Sequence, residues 1–242
     1  MMGREDIDRS EYFEQVKEKH LNPSSVVCDS SSLISLTDTG LLGALMMLRK
    51  EIKGEFIITE GVIDESINTP IKKPEYAFSA VRIKRALKSG AFRIGKYEKN
   101  TYDEIMRVTN NMFYTDRPFH LVNHGEAEML AAAIDNGVGF VLMDERTTRM
   151  LIESPLELKR HIENEFRIRI NINDALFRRF KEMTSGINVI RSSEILALAK
   201  SKGYFRKFGD IENDAYKAAL YALKFNGCSI SFEEIEELSK IA

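Results

Sequence analysis

Four acidic residues fall where apolar elements start or stop, and carboxylates placed that way are the raw material of a cation site. Asp29 ends the run Val26-Val27-Cys28, and Asp144 ends the run from Val138 to Met143. Glu126 opens the helical segment GEAEMLAAAIDNG, and Glu65 lies about two turns into the helix that follows Phe56-Ile57-Ile58. Carboxylates gathered together repel one another, so such a group makes physical sense when a cation sits between them. Hard oxygen ligands with no Cys or His nearby select Mg2+ or Mn2+ over zinc. Taken singly, each acid has a plainer use. An Asp at a strand end caps a helix or forms a turn, Glu126 suits a helix N-terminus through the macrodipole, and Glu65 suits a solvated helix face. Their joint occurrence, each beside a buried strand or a helix start, favours the cation.

The elements that must position these acids alternate between short apolar strands and helices. That pattern predicts an α/β fold with a parallel sheet sandwiched by helices in three layers and extra helices at the C-terminal end. In open sheets of this kind ligands bind beyond the carboxyl ends of the strands, so Asp29 and Asp144 are expected to share that edge. Residues 1–24 read as a charged amphipathic helix ending before Asn22-Pro23. LLGALMMLRKEI reads as a helix closed by Gly54 whose Leu-Met stripe packs in the core, and 75–89 as a helix stopped by Gly90. A strand is expected over Phe92–Tyr97, a helix over 101–114 and a fifth strand over Ile187–Ile190, followed by the helix SSEILALAKSKG. The tail from Asp210 reads as two helices, the last opening with Ser231 and Glu234 at capping-box spacing.

Composition bounds the rest. The 242 residues are 43% hydrophobic and 30% charged with a net charge of −2, which fits an ordinary globular protein and excludes a nucleic-acid coating protein. Cys28 and Cys228 are far apart and read as free thiols. The N-terminus has no apolar core of a secretory signal, and the stretch near Leu41 to Leu48 is too short to span a bilayer. A soluble, cytoplasmic protein with no membrane partner is expected. His120 and His124 lie four apart but lack an HExxH glutamate, so they do not read as a zinc pair. A phosphoryl-accepting role for Asp29 fails on its neighbours, since Ser31 stands where a phosphatase needs its second Asp.

VVCDSSSLISL, FIITEGVIDESIN, HGEAEMLAAAIDNG and VLMDERTTRML resemble the successive acidic motifs of PIN-domain nucleases. The resemblance covers about 25–150 and resumes at 187–208, where INVIRSSEILALAKSKGYF is similar to the family's last strand and helix. On that resemblance Asp29 matches the first metal-binding acid and Ser30 its hydroxyl neighbour. Glu65, three residues after Val62, matches the second acid. Glu126 matches the third, with Glu128 as the alternative in the Gly-Glu-Ala-Glu form. Residues two apart on a helix point roughly 200° apart, so the two serve together only where that turn is irregular. Asp144 matches the fourth acid, with Glu145 as a lesser substitute. The resemblance implies a Mg2+- or Mn2+-dependent nuclease in which the cation polarises the scissile phosphate and activates water for in-line displacement. It also implies cleavage of single-stranded RNA to 5′-phosphate and 3′-hydroxyl ends.

Leu142 stands where toxin-type members carry Thr or Ser, and a helical insertion at about 146–186 exceeds what compact toxins have. An antitoxin partner is therefore not expected, and a homo-oligomer is left open. The expected organisation is an N-terminal helical extension over 1–24, a nuclease domain over 25–208 and a helical tail over 209–242. Between Arg146 and Lys181 nine Lys or Arg stand against five acids. Arg146, Arg149, Arg178 and Arg179 are thus candidates for the RNA path, the plain alternative being a salt-bridged helix face. A non-catalytic nucleic-acid- or protein-binding module is the second reading of the whole chain.

Overall fold

The computed structural model describes residues 25–51 and 54–240, so the helix expected over 1–24 lies outside the described residues. Strands β1 (Val26–Cys28), β2 (Phe56–Ile58), β3 (Phe92–Ile94), β5 (Phe140–Leu142) and β7 (Asn188–Ile190) form one parallel sheet in the order β3-β2-β1-β5-β7. β4 (Phe113–Tyr114) and β6 (Asn171–Ile172) pair antiparallel in a separate two-stranded ribbon. The register sets Cys28 beside Leu142 and Leu142 beside Ile190. Two further backbone bonds, Asp29 N to Leu142 O at 2.9 Å and Met143 N to Ile190 O at 2.9 Å, carry the ladder one residue past the strand ends. The carboxyl ends of β1, β5 and β7 therefore form one edge.

The helices are α1 (Ser30–Asp38), α2 (Leu42–Glu51), α3 (Glu60–Ile63), α4 (Pro74–Lys88), α5 (Lys99–Thr109) and α6 (His124–Asp135). They continue as α7 (Arg146–Glu153), α8 (Pro155–Phe166), α9 (Asp174–Met183), α10 (Ser192–Ser201), α11 (Glu212–Phe225) and α12 (Phe232–Ser239). Strand side chains alternate between faces, so each strand feeds two cores. Val26, Cys28, Phe56, Ile58, Leu142 and Ile190 pack with apolar residues of α1, α2, α10, α11 and α12. Val27, Ile57, Val141, Met143 and Val189 pack on the opposite face with residues of α5, α6, α7, α8 and α9. The layers are helix, parallel sheet, helix, as the alternation of the sequence predicts. The segment 146–186 supplies Leu151, Leu158, Ile162 and Phe180 to the second core, and the tail supplies Tyr216, Leu220, Ile235 and Leu238 to the first.

Two expected elements change on the way. The helix expected over 101–114 ends at Thr109, because Asn110 is taken by the later chain: its Oδ1 accepts from Leu121 N (2.7 Å) and Val122 N (3.0 Å), and its Nδ2 donates to Val122 O (2.9 Å). Phe113 and Tyr114 then pair with Ile172 and Asn171 as a strand. The strand expected over 92–97 stops at Ile94, where its partner β2 also ends. The Ser231–Glu234 capping box is present at the start of α12. Among the described residues no single helix is long and apolar enough to cross a membrane.

Candidate active site

Asp29 is the N-cap of α1, in extended backbone (φ −81°, ψ 155°), and is 5% exposed. Its carboxylate accepts from Ser31 N at 3.2 Å and from the Ser31 hydroxyl. Burial raises its pKa, the Ser31 bonds offset part of that, and the charge of Glu65 adds to it. The Ser30 hydroxyl donates to Glu65 Oε2 at 2.6 Å, tying α1 to the second acid. Glu65 itself sits in a π-helical turn, Asp64–Asn68, that continues α3. A π-turn widens the helix by one residue per hydrogen-bonded ring and is a feature often found at functional sites.

The helices α3 and α6 lock together through two glycines. A Cβ on Gly125 would stand 2.8 Å from Glu65 Oε1, and a Cβ on Gly61 would stand 2.4 Å from Glu128 Oε2. Each glycine thus leaves room for the other helix's carboxylate. Gly61 N also donates to Glu128 Oε2 at 2.9 Å, and the Tyr97 hydroxyl bonds the same carboxylate. Glu128 is occupied in joining the two helices, whereas Glu126 turns the other way.

Glu126 is 7% exposed and completes a capping box: Asn123 N donates to its Oε2 at 2.7 Å, and its own N–H donates to Asn123 Oδ1 at 3.1 Å. Its pKa is pushed up to about 7, mainly by burial and further by Glu145 and Asp29, against the Asn123 N–H and the Thr148 hydroxyl. Glu145 is half-buried and caps α7, accepting from Thr147 N (2.8 Å) and Thr148 N (2.6 Å). Glu65, Asp29, Glu126 and Glu145 therefore form a row in which each carboxylate feels the next.

Asp144 lies on the other side of the sheet. It is 1% exposed, its Oδ1 accepts from Ser192 N at 2.8 Å, and its carboxylate also meets the Cys228 thiol. It faces Cys228, whose thiol is pushed up by burial and then by the Asp144 charge. The alternation of β5 explains the separation: Leu142 belongs to the first core and Met143 to the second, so Asp144 falls on the face of Leu142 and Glu145 on the face of Met143. Asp29, by the same parity, follows Val27 toward α6 and α7. The structure thus brings together Asp29, Glu65, Glu126 and Glu145, with Ser30 among them, and sets Asp144 apart.

Among the arginines, Arg179 is held by Glu104 through two bonds of 2.8 and 2.9 Å. Arg149 pairs with Glu153 at 3.1 Å and reaches Ser229 at 3.5 Å. Arg146, at the first position of α7, and Arg178 are exposed. An open cleft of about 510 Å3 adjoins the row, bounded by Glu126, Glu145 and the imidazoles of His120 and His124.

The donor chemistry of the row, oxygen throughout, is that of a hard divalent cation, and the repulsion along it is what such an ion relieves. Among the described residues no three acidic, His or Cys side chains already meet as a coordination group. Each carboxylate is held instead by N–H or hydroxyl groups, most of them of its own helix start. Gly61 and Gly125 leave no pattern that marks them in the sequence, whereas Asn123 and Glu126 stand at capping-box spacing.

A family model described as a PIN domain matches residues 25–155, more than half of the chain. No curated protein and no solved structure matches it. The matched span runs from just before β1 into the start of α8 and holds all of the acids described above. With a parallel sheet between two helical layers over that span, the chain belongs to the PIN-domain family, a nuclease-type fold.

Proposed function

We propose that the protein is a metal-dependent nuclease of the cytoplasm that hydrolyses phosphodiester bonds of single-stranded RNA with Mg2+ or Mn2+. The observation that carries this reading is the row Glu65–Asp29–Glu126–Glu145 on one edge of the sheet, with Glu126 pushed up to about 7 among its neighbours. Asp29, Glu65 and Glu126 are the residues that would hold the cation, and Glu145 is the fourth carboxylate on that side. A bound divalent ion supplies Lewis-acid activation of the phosphodiester and a nucleophilic water near neutral pH. The chain's own part is orientation. Ser30 fixes Glu65, Asn123 fixes Glu126, and the α7 N–H groups fix Glu145. Exposed Arg146, next to Glu145 in the chain, suits a phosphate contact, and Arg178 is a more distant candidate. Arg149 and Arg179 already have carboxylate partners, which favours the salt-bridged surface reading for them.

The second reading, a binding module without catalysis, is favoured by the individually satisfied carboxylates and the separate place of Asp144. A cleavage assay over a panel of RNAs and DNAs with Mg2+, Mn2+ or EDTA separates the two. Changes around a metal site cost about 10–100-fold, so Asp29→Asn, which alters a ligand, is expected to cut RNA cleavage by more than roughly 100-fold. Mn2+ binding without cleavage of any substrate favours the binding module.

A further inference from the structure

We infer that the cleft beside Glu126 and Glu145 is a pocket for one unstacked nucleobase of the bound strand, with the His124 ring, held by Tyr102, as its stacking surface. The inference rests on the nuclease reading and adds a subsite to it. Position comes first: Glu126 and Glu145 line both the acid row and the cleft, so a strand with a phosphate at the acids places an adjoining nucleotide in the cleft. Size comes second. A volume of about 510 Å3 lies within the range of roughly 300–1,000 Å3 typical of small-ligand pockets.

The lining decides which part of the nucleotide enters. Met106, Leu121 and Val122 make an apolar wall, while Glu126 and Glu145 repel phosphate, so the uncharged base is the part that fits. The ring of His124 lies within 15° of the plane of Tyr102, with centroids 6.1 Å apart, and the Tyr102 hydroxyl shares a hydrogen bond with His124 Nδ1. The two rings are thereby joined edge to edge, and Tyr97 packs against Tyr102 at 5.8 Å with a tilt of 34°. Unpaired bases stack on surfaces of this kind with little regard to identity. The wall is preformed: buried Asn110 clamps Leu121 and Val122 through three hydrogen bonds. The N–H and Oδ1 of Asn123 are taken by the capping box and do not read the base, so the stacking contribution is expected to be largely independent of base identity.

The test is binding of a fluorescein-labelled hexauridylate in EDTA at low salt, followed by anisotropy, with a single abasic nucleotide moved through each position. One position is expected to weaken binding at least roughly fivefold when its base is removed. His124→Ala, at an exposed helix start, should weaken the intact oligomer by a similar factor and erase the dependence on that position. Tyr102→Phe, which frees the imidazole but keeps the ring, should fall between. A flat abasic scan, an unchanged scan in His124→Ala, or no binding of any oligomer overturns the pocket. The nuclease reading is checked separately, by Mn2+-dependent cleavage that Asp29→Asn removes, so a flat scan with intact cleavage costs only the pocket.

Discussion

At the carboxyl edge of the sheet two acidic regions stand back to back, and they differ in what answers their charge. Toward α6 and α7, Glu65, Asp29, Glu126 and Glu145 face one another and, among the described residues, are held by N–H and hydroxyl groups. Toward α10 and α12, Arg191 answers the acids. It pairs with Glu194 at 3.3 Å and Glu234 at 3.1 Å, and donates to Ser229 O at 3.0 Å. Burial opposes the charge on Arg191, but the two glutamates more than offset it and hold its pKa above the usual range. In one region a guanidinium answers two of the acids, and in the other no cation does so among the described residues. Structural charge is normally paired, so an unpaired row is the place to look for a ligand.

That contrast predicts different failures on the two sides. Arg191→Ala should destabilise the protein by about 3 kcal/mol, because it strands buried Glu194, while leaving Mn2+ affinity unchanged below the melting transition. Urea denaturation and calorimetry on the same sample would check both halves. Loss of Mn2+ binding without loss of stability would erase the distinction between the regions.

Gly125→Ala acts on the other side. Its Cβ would meet the Glu65 carboxylate at 2.8 Å, and a long side chain yields more readily than a helix, so the carboxylate moves and the fold stays. Cleavage should fall about tenfold, as for other changes beside a metal site, with a melting temperature close to wild type. A stable variant with full activity would show that the position of Glu65 is immaterial.

A subtler effect comes from Glu126. Its folded pKa of about 7 lies above a glutamate's ordinary 4.5, so the metal-free folded state holds a proton that the unfolded chain releases. Its contribution is therefore intact below pH 4.5 and is lost as pH rises through 7. Metal-free wild type should lose roughly 1–3 kcal/mol between pH 5 and pH 8 relative to Glu126→Gln, whose amide oxygen can still accept from Asn123 N. Parallel pH profiles of the two proteins would sink this account.

The sequence shows most of the fold because buried parallel strands are apolar runs and their helices carry caps and breakers. β1, β2, β5 and β7 lie within the runs expected, and the Ser231 capping box is where its spacing puts it. What it hides is tertiary. The turn of Asn110 depends on Leu121 and Val122, and the strand at Phe113 depends on a partner almost sixty residues later. The π-turn carrying Glu65 leaves no mark in composition. Asp144 and Glu145 are both acidic and adjacent, so pattern alone cannot say which one joins Asp29. The answer lies in strand parity: Glu145, two residues after Met143, faces Glu126, and Asp144, two residues after Leu142, faces Ser192. For the arginines, charge counts gave a basic segment, and only the partners Glu104 and Glu153 show which of them are already paired.

The most direct test of the acid row compares Mn2+ binding by titration calorimetry in Glu145→Gln and Asp144→Asn, each checked for an intact melting transition. The row predicts that Glu145→Gln weakens binding about tenfold or more, and that Asp144→Asn leaves it within roughly twofold of wild type, since Asn can still accept from Ser192 N. Weakened binding in Asp144→Asn with wild-type affinity in Glu145→Gln would contradict it, and would place the cation on the side of the sheet that faces Ser192.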